Sequence, residues 1–348
     1  MEFCELTSLI SEGNDLSREQ AEQAAAVMAA TEVSADAKAA FLVALAAKGE
    51  VADEVAGFAG YFRSMARNPG LEAWSASAID VCGTGGDKQN TFNISTTVTF
   101  VAAAAGIPVL KHGNRSITSK CGSANLLDAL GVDLMADDAT LALSMKELGF
   151  CFMFAPAFHP AFKEIMPVRQ ALAEQGKRTI FNVLGPLINP AKPAYQLLGV
   201  PVSGILGIMS DALEKVGLSA ACVAHCELGD RGGMDEFSVA GKNLSRSFGA
   251  GLQIENEFEA ESLGLKSGAL KDLEGGDITE NLNILDRLLD GKAPKALEDT
   301  VVLNAAMALH VAGNATQLSG AIEEARELLL GGATRRKIEQ TKEFYKAL

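Results

Sequence analysis

From Ala78 onward the chain alternates short apolar runs with longer helical segments, and this alternation constrains its fold more than any other feature. Ala78-Ile79-Asp80-Val81-Cys82 reads as a buried strand, Ser95 to Ala105 as a helix, Ile107 to Leu110 as a strand and Ser123 to Leu130 as a helix. Cys151 to Phe154, Tyr195 to Val200 and Ala220 to Ala224 are further strands, with an apolar helix from Ile205 to Val216 between the last two. Parallel strands need crossover connections, and the crossover helices cover both faces of the sheet. The expectation is an α/β fold whose mainly parallel sheet is flanked by helices.

What precedes this alternation is different in kind. Residues 1–72 read as helices only: Ser17 with Gln20 forms an N-terminal capping pattern, Ser34 opens a second run, and a third covers Val51 to Met65. Asn68-Pro69-Gly70 is a turn signal that closes this unit. The reading is a small helical domain over 1–72 and a larger α/β domain over 73–348. The segment from Pro160 to Leu184, with Lys163, Arg169, Lys177 and Arg178, interrupts the alternation, and part of 160–190 is expected to join the N-terminal helices. After Gly275-Gly276-Asp277 the chain is helical again, at Ile278 to Leu289, Thr300 to Val311 and Leu318 to Leu330.

Composition limits the function classes. With 30 Lys+Arg against 44 Asp+Glu the formal net charge is −14. A duplex nucleic-acid binder needs clustered cations to displace counterions, and an anionic membrane surface needs the same, so neither partner is expected. The start Met1-Glu2-Phe3-Cys4-Glu5 lacks the basic and apolar regions of a secretion signal, and the most apolar stretch, Val98 to Leu110, is too short for the ~18 residues of a membrane span. Six cysteines scattered in a long chain do not read as a disulfide framework; a cytoplasmic enzyme is the expectation. Cys222, His225 and Cys226 have no second pair of soft ligands nearby, so no zinc site is expected there.

The chemistry concentrates at strand ends. Gly83-Thr84-Gly85-Gly86-Asp87 directly follows the first strand, and Asn93-Ile94-Ser95-Thr96 opens the next helix. Glycines allow positive φ and close backbone approach, and a helix N-terminus offers unpaired N–H groups, so the pair reads as a phosphate site. The spacing matches neither a dinucleotide fingerprint nor a P-loop. The second strand ends in Lys111-His112-Gly113-Asn114-Arg115, followed by Ser116, Thr118, Ser119, Lys120 and the helix start Gly122-Ser123. Ligands of open α/β sheets bind beyond the carboxyl ends of strands, so two successive ends presenting anion-binding groups point to one cleft. Asp235-Glu236 adds adjacent carboxylates suited to Mg²⁺, which keeps waters and bridges to substrate phosphates.

These motifs, with Thr91-Phe92, Phe158-His159-Pro160-Ala161, Arg178-Thr179-Ile180-Phe181-Asn182 and Leu184-Gly185-Pro186-Leu187, resemble in order and spacing the anthranilate phosphoribosyltransferases, over nearly the whole chain. The resemblance implies Mg²⁺-dependent transfer of phosphoribose from phosphoribosyl pyrophosphate (PRPP) to the amine of anthranilate in tryptophan biosynthesis, by a homodimer formed through its helical domains. It implies PRPP contacts from Gly83, Gly86, Asp87, Thr91, Asn93, Ser95, Thr96, Lys111, Ser119 and Ser123. Ser95, Asp235 and Glu236 would hold the metal, and Gly83, Asn114, His159 and Arg169 would contact anthranilate. His112 and His159 are candidate proton acceptors. The chain departs from the family pattern at Cys121, Asn125, Ala157, Gln170 and Cys226 and in longer stretches from Arg169 to Arg178 and before Asp235-Glu236, mainly on the acceptor and loop side. A paralogue using another aromatic acceptor and a pyrimidine-nucleoside phosphorylase are the alternative enzymes; a nucleic-acid-binding paralogue is the alternative outside catalysis.

Overall fold

The computed structural model describes residues 1–115 and 120–348. Four helices open the chain: α1 (Phe3–Ser11), α2 (Arg18–Ala29), α3 (Ala35–Lys48) and α4 (Ala52–Ser64). Ser17 caps α2 reciprocally with Gln20, and the Ser34 hydroxyl accepts from the Ala37 N–H at the start of α3. A single turn, α5 (Glu72–Ser75), leads into β1 (Ile79–Gly83), α6 (Ile94–Ala104), β2 (Val109–Gly113), α7 (Ser123–Ala129), α8 (Asp138–Leu148) and β3 (Phe150–Phe154). The short α9 (Ala155–Phe158) and α10 (Met166–Glu174) precede β4 (Tyr195–Gly199), α11 (Leu206–Lys215) and β5 (Ala220–Glu227). Three antiparallel strands follow, β6 (Gly233–Met234), β7 (Lys242–Phe248) and β8 (Glu257–Phe258), then α12 (Ile278–Leu289), α13 (Lys295–Val311), α14 (Leu318–Leu330) and α15 (Ala333–Ala347).

The sheet runs β3-β2-β1-β4-β5-β7-β8, with β6 paired to β5. Strands β1 to β5 are mutually parallel; β6, β7 and β8 are antiparallel additions at one side. In register, Gly83 lies beside Gly199, and Gly113 beside Phe154, so the carboxyl ends of the central strands share one edge.

Side chains alternate across the sheet and divide the core in two. Leu197, Cys222 and Ala224 face α6 and α13 in one cluster. Leu198, Val200, Ala221 and Val223 face the other cluster, which holds Phe41, Phe58 and Phe62 of α3 and α4, Val168 and Leu172 of α10, and Ile180, Phe181 and Leu184. The segment that interrupts the strand–helix alternation is therefore packed among the N-terminal helices, because its apolar residues find their partners there.

Candidate functional site

The first strand end is shaped by what its glycines leave empty. A Cβ on Gly83 would lie 2.3 Å from Asp235 Oδ2, and one on Gly199 would lie 1.5 Å from the Asp235 carbonyl oxygen. Two strands ending without side chains thus let Asp235 sink between them, and its Oδ2 accepts the Gly85 N–H at 2.8 Å. Gly85 and Gly86 then turn with φ of +71° and +86°, in the left-handed region that glycine adopts without strain. Gln89 ties this loop to the acidic one by donating to the carbonyls of Arg231 and Gly233.

Behind Asp235-Glu236 stands α13, whose Asn304 accepts the Phe237 N–H at 3.1 Å and donates to the Phe237 carbonyl at 2.7 Å. Thr300 accepts from the Val239 N–H. Neither residue stands out in the sequence, since each acts on backbone more than sixty positions away.

Three carboxylates meet here. Asp235 is pushed up to about 7, chiefly by burial, then by the charge and hydrogen bond of Asp87. Glu236 is raised well above its usual range by burial and then by Asp235, with Lys111 opposing. Glu236 Oε1 accepts the Ser95 N–H at 3.2 Å, placing the carboxylate at the N-terminus of α6. Asp87 Oδ2 is buried with no hydrogen-bond partner among the described residues. Like charges forced together in a recess, with one oxygen orphaned, are the environment a divalent cation completes. Among the described residues no group of three or more His, Cys, Asp or Glu side chains is placed to hold a metal ion by itself. A few carboxylates with open positions are what Mg²⁺ takes, because it keeps waters and substrate oxygens in its shell.

The other expected phosphate contacts differ in what the structure gives them. Lys111 is 1% exposed and its ammonium donates to the Val81 carbonyl. Thr96 is wholly buried and its hydroxyl has no hydrogen-bond partner among the described residues. Asn93 donates to the Cys121 carbonyl and accepts from Asn281, bracing the loop that follows β2. Thr91 forms an isolated bridge with Glu274. Ser123 opens α7 beside the end of β2, its Cβ 4.0 Å from where a Gly113 Cβ would lie. Ser119 lies outside the described residues. Arg178, for which no contact of its own is expected from sequence, reaches the glycine loop, with one guanidinium nitrogen 3.3 Å from a Cβ built on Gly86.

On the other face of the sheet edge the chemistry is aromatic. His112 and His159 are buried and touch Nε2 to Nε2 at 3.1 Å. Burial lowers His112 to about 3 and His159 to about 4, so both rings are neutral at physiological pH. From His159 a chain of ring contacts runs through Phe162 at 5.7 Å to Phe181 at a further 5.6 Å. The Arg169 guanidinium lies 5.5 Å from the Phe181 ring and donates to the Phe181 carbonyl. Burial lowers its pKa, and it has no carboxylate partner among the described residues. Phe62 of α4 packs on both Phe162 and Phe181, so the N-terminal helices support this wall. Asn114 and Arg115 are exposed at the end of β2, the latter paired loosely with Asp128. Asn125, one departure from the family pattern, accepts the Gly122 N–H at the start of α7, a capping role a carboxylate would also fill. His225 packs against Gly233 and bonds the Val200 carbonyl, and burial pushes the Cys226 thiol up to about 12; both serve the core.

A family model described as "Glycosyl transferase family, a/b domain" matches residues 75–335, and one described as "Glycosyl transferase family, helical bundle domain" matches 5–66. Among curated relatives, a protein named anthranilate phosphoribosyltransferase from Synechococcus sp. (strain CC9902) is 42% identical, over 94% of this chain and 92% of its own length. One of the same name from Solibacter usitatus is 42% identical over 96% of each. The crystal structure of the Thermus thermophilus protein of that name superposes with a TM-score of 0.85 at 36% identity, covering 98% of this chain and 99% of the other. The Saccharomyces cerevisiae protein in complex with PRPP and Mg has a TM-score of 0.83 at 24% identity, covering 99% and 98%, a likeness of fold.

Proposed function

This chain belongs to the anthranilate phosphoribosyltransferase family, and we propose that it transfers phosphoribose from PRPP to the amine of anthranilate, with Mg²⁺ as cofactor, in tryptophan biosynthesis. The observation that carries this reading is the pairing, on one sheet edge, of a carboxylate recess beside a glycine loop with an aromatic wall ending in Arg169, which has no carboxylate partner among the described residues. A nucleoside phosphorylase has less need of the carboxylates, so their crowding favours a substrate that arrives with metal.

In this reading Gly83, Gly86, Asp87, Thr91, Asn93, Ser95, Thr96, Lys111, Ser119 and Ser123 bind PRPP, and Ser95, Asp235 and Glu236 hold Mg²⁺. Bound there, the cation neutralises the carboxylates and stabilises charge on the departing pyrophosphate. Breaking the C1–oxygen bond of the ribose builds positive charge on the sugar and negative charge on the leaving group. Lys111, Arg178 and the amides of the glycine loop face the negative part. Gly83, Asn114, His159 and Arg169 position anthranilate, with the arginine fork on its carboxylate. The aromatic amine keeps its lone pair at neutral pH, so orientation carries much of the catalysis. His112 and His159 are the groups near enough to this wall to take its proton.

The helical domain over 1–72, joined by part of 160–190, and the α/β domain over 73–348 meet at this wall, and the protein acts in the cytoplasm as a homodimer. No helix among the described residues is long and apolar enough to cross a membrane. The deciding experiment is turnover with PRPP, Mg²⁺ and anthranilate, followed by loss of anthranilate fluorescence. Consumption of anthranilate that stops when Mg²⁺ is chelated is the expected result. PRPP binding without consumption would assign a different aromatic acceptor.

A further inference from the structure

We infer that Asn281 of α12 is a positioning residue for the phosphate site: acting through Asn93, it ties the start of α6 to the turn ahead of α7 and keeps the Asn93 side chain from capping α6. The inference deepens the PRPP reading above and rests on it for the identity of the anion.

The direction of each bond in this link is set by a backbone group that has only one role. The Gly276 N–H can only donate, and it meets Asn281 Oδ1 at 2.8 Å. The Gly276 carbonyl can only accept, and it lies 3.4 Å from Asn281 Nδ2. One residue thus fixes which end of the Asn281 amide is oxygen. The nitrogen end donates to Asn93 Oδ1 at 3.0 Å, and Asn93 Nδ2 donates in turn to the Cys121 carbonyl at 3.0 Å, again an acceptor only. Flipping either amide, or both, would set donor against donor or acceptor against acceptor. Asn281 is 1% exposed, so the link is made in the interior, where a lost partner is costly.

The surrounding backbone seats the contact. The Phe92 N–H donates to the Leu273 carbonyl and the Gly275 N–H to the Asn90 carbonyl. A Cβ on Gly275 would lie 2.8 Å from Asn281 Oδ1 and 3.0 Å from Phe92 Cα. A glycine at this position lets the segment ahead of α12 press against the loop that enters α6.

What the link does for an anion follows from where Asn93 stands. It is the N-cap residue of α6, and an asparagine there ordinarily turns its side-chain oxygen back onto an N–H of the first turn. Here it makes no capping bond, and its backbone, at φ −72° and ψ 68°, is not in the extended form that capping uses. The oxygen is held by Asn281 instead, so the start of α6 is not closed by its own cap residue. At the other end, the Cys121 carbonyl immediately precedes Gly122-Ser123, which open α7. Ser95 and Thr96 lie on one side of the link and Ser123 on the other, so Asn281 sets the spacing between two groups of phosphate contacts from a helix that supplies none of them.

Two measurements test this independently of one another. Calorimetric titration with PRPP in the presence of Mg²⁺ should give a Kd about ten-fold weaker in Asn281→Ala and in Asn281→Leu, the scale of a lost buried hydrogen bond. The KM for anthranilate should stay within about two-fold. In an Asn93→Ala background, Asn281→Ala should weaken PRPP by less than about two-fold further, because the residue it acts through is already gone. A further loss as large as in the wild-type background would make Asn281 a support of the fold alone and overturn the inference, as would unchanged PRPP affinity in both single variants. Without ligand, hydrogen exchange followed by mass spectrometry should run about five-fold faster over residues 122–126 in Asn281→Ala, as the turn ahead of α7 loses its tie. Exchange there as slow as in wild type would overturn the link whatever the substrate. A wild-type protein that binds no PRPP, with the faster exchange still seen in the variant, would strike the substrate reading and keep the link.

Discussion

The two halves of the cleft are built on opposite electrostatic plans. On the proposed pyrophosphate side Asp87, Asp235 and Glu236 crowd together, one oxygen is orphaned, and Lys111 is a buried cation that opposes them. On the acceptor side the two histidines are neutral and bonded to each other, and Phe162 and Phe181 complete a wall supported by Phe62. One half is unfinished until charge arrives, and the other stands finished except for Arg169. In the proposed function the difference follows from the ligands. A flat, weakly basic ring is recognised by shape, which a preformed aromatic wall supplies at little reorganisation cost. A pyrophosphate with its metal is recognised by charge, and a site complementary to it holds unmet charge when empty.

The comparison breaks most severely if the carboxylates are neutralised. The double variant Asp235→Asn, Glu236→Gln should lose more than about 100-fold in kcat/KM for PRPP, the scale of deleting an electrostatic partner of a developing charge. Its thermal midpoint without metal should match or exceed that of wild type, since neutral amides relieve the repulsion within the recess. Added Mg²⁺ should then stabilise wild type and leave the variant unmoved in a melting experiment. Unchanged PRPP turnover in the double variant would remove the metal from these residues.

A smaller and one-sided effect is expected across the cleft. Arg169→Ala removes a half-buried guanidinium with no carboxylate partner among the described residues. Losing a hydrogen bond to a charged group costs about 1.5–3 kcal/mol, so the KM for anthranilate should rise roughly ten- to 150-fold. The KM for PRPP should stay within about two-fold, and equal increases for both substrates would place Arg169 outside the carboxylate contact.

The same division governs what the sequence discloses. The pyrophosphate half is assembled from short local motifs: the glycine loop, the start of α6, the end of β2 and Asp235-Glu236 are each legible, because each is a strand end or helix start. Their supports are not. Asn304 reaches Phe237 across 67 positions, and the Phe162–Phe181–Phe62 cluster joins helical and α/β segments through packing that no local period encodes. Strand β7 is hidden for another reason. Its buried positions Asn243 and Ser245 are polar, satisfied by Ser238 and Glu255, so the apolar alternation that marks a strand is missing. Helix α8 is missing from the sequence expectations, although Asp137 caps the Thr140 N–H ahead of Leu141, Met145 and Leu148. Helix α13 extends back to Lys295, past the expected start at Thr300, because Lys295 and Arg326 pair with Glu298 and Asp299 in its first turns.

The smallest expected effect tests whether the acceptor wall also depends on the link between the two parts of the chain. Arg67 follows α4; its backbone N–H donates to the Phe158 carbonyl at 2.8 Å and its guanidinium carbon sits 4.1 Å from the centre of the Phe158 ring. The same side chain pairs with Asp138 at the start of α8, both partners being partly exposed. Arg67→Ala keeps the backbone bond and removes only the ring and carboxylate contacts. A cation–π contact of about 0.5–1 kcal/mol and an exposed pair of about 0.2–1 kcal/mol together predict a loss of roughly 1–2 kcal/mol in unfolding free energy, read by urea titration. Because Phe158 precedes His159, looser seating there should raise the KM for anthranilate by about two- to three-fold and leave that for PRPP alone. A shift in the PRPP constant instead would mean that the link steers the charged half, and that the two halves are less separate than their chemistry.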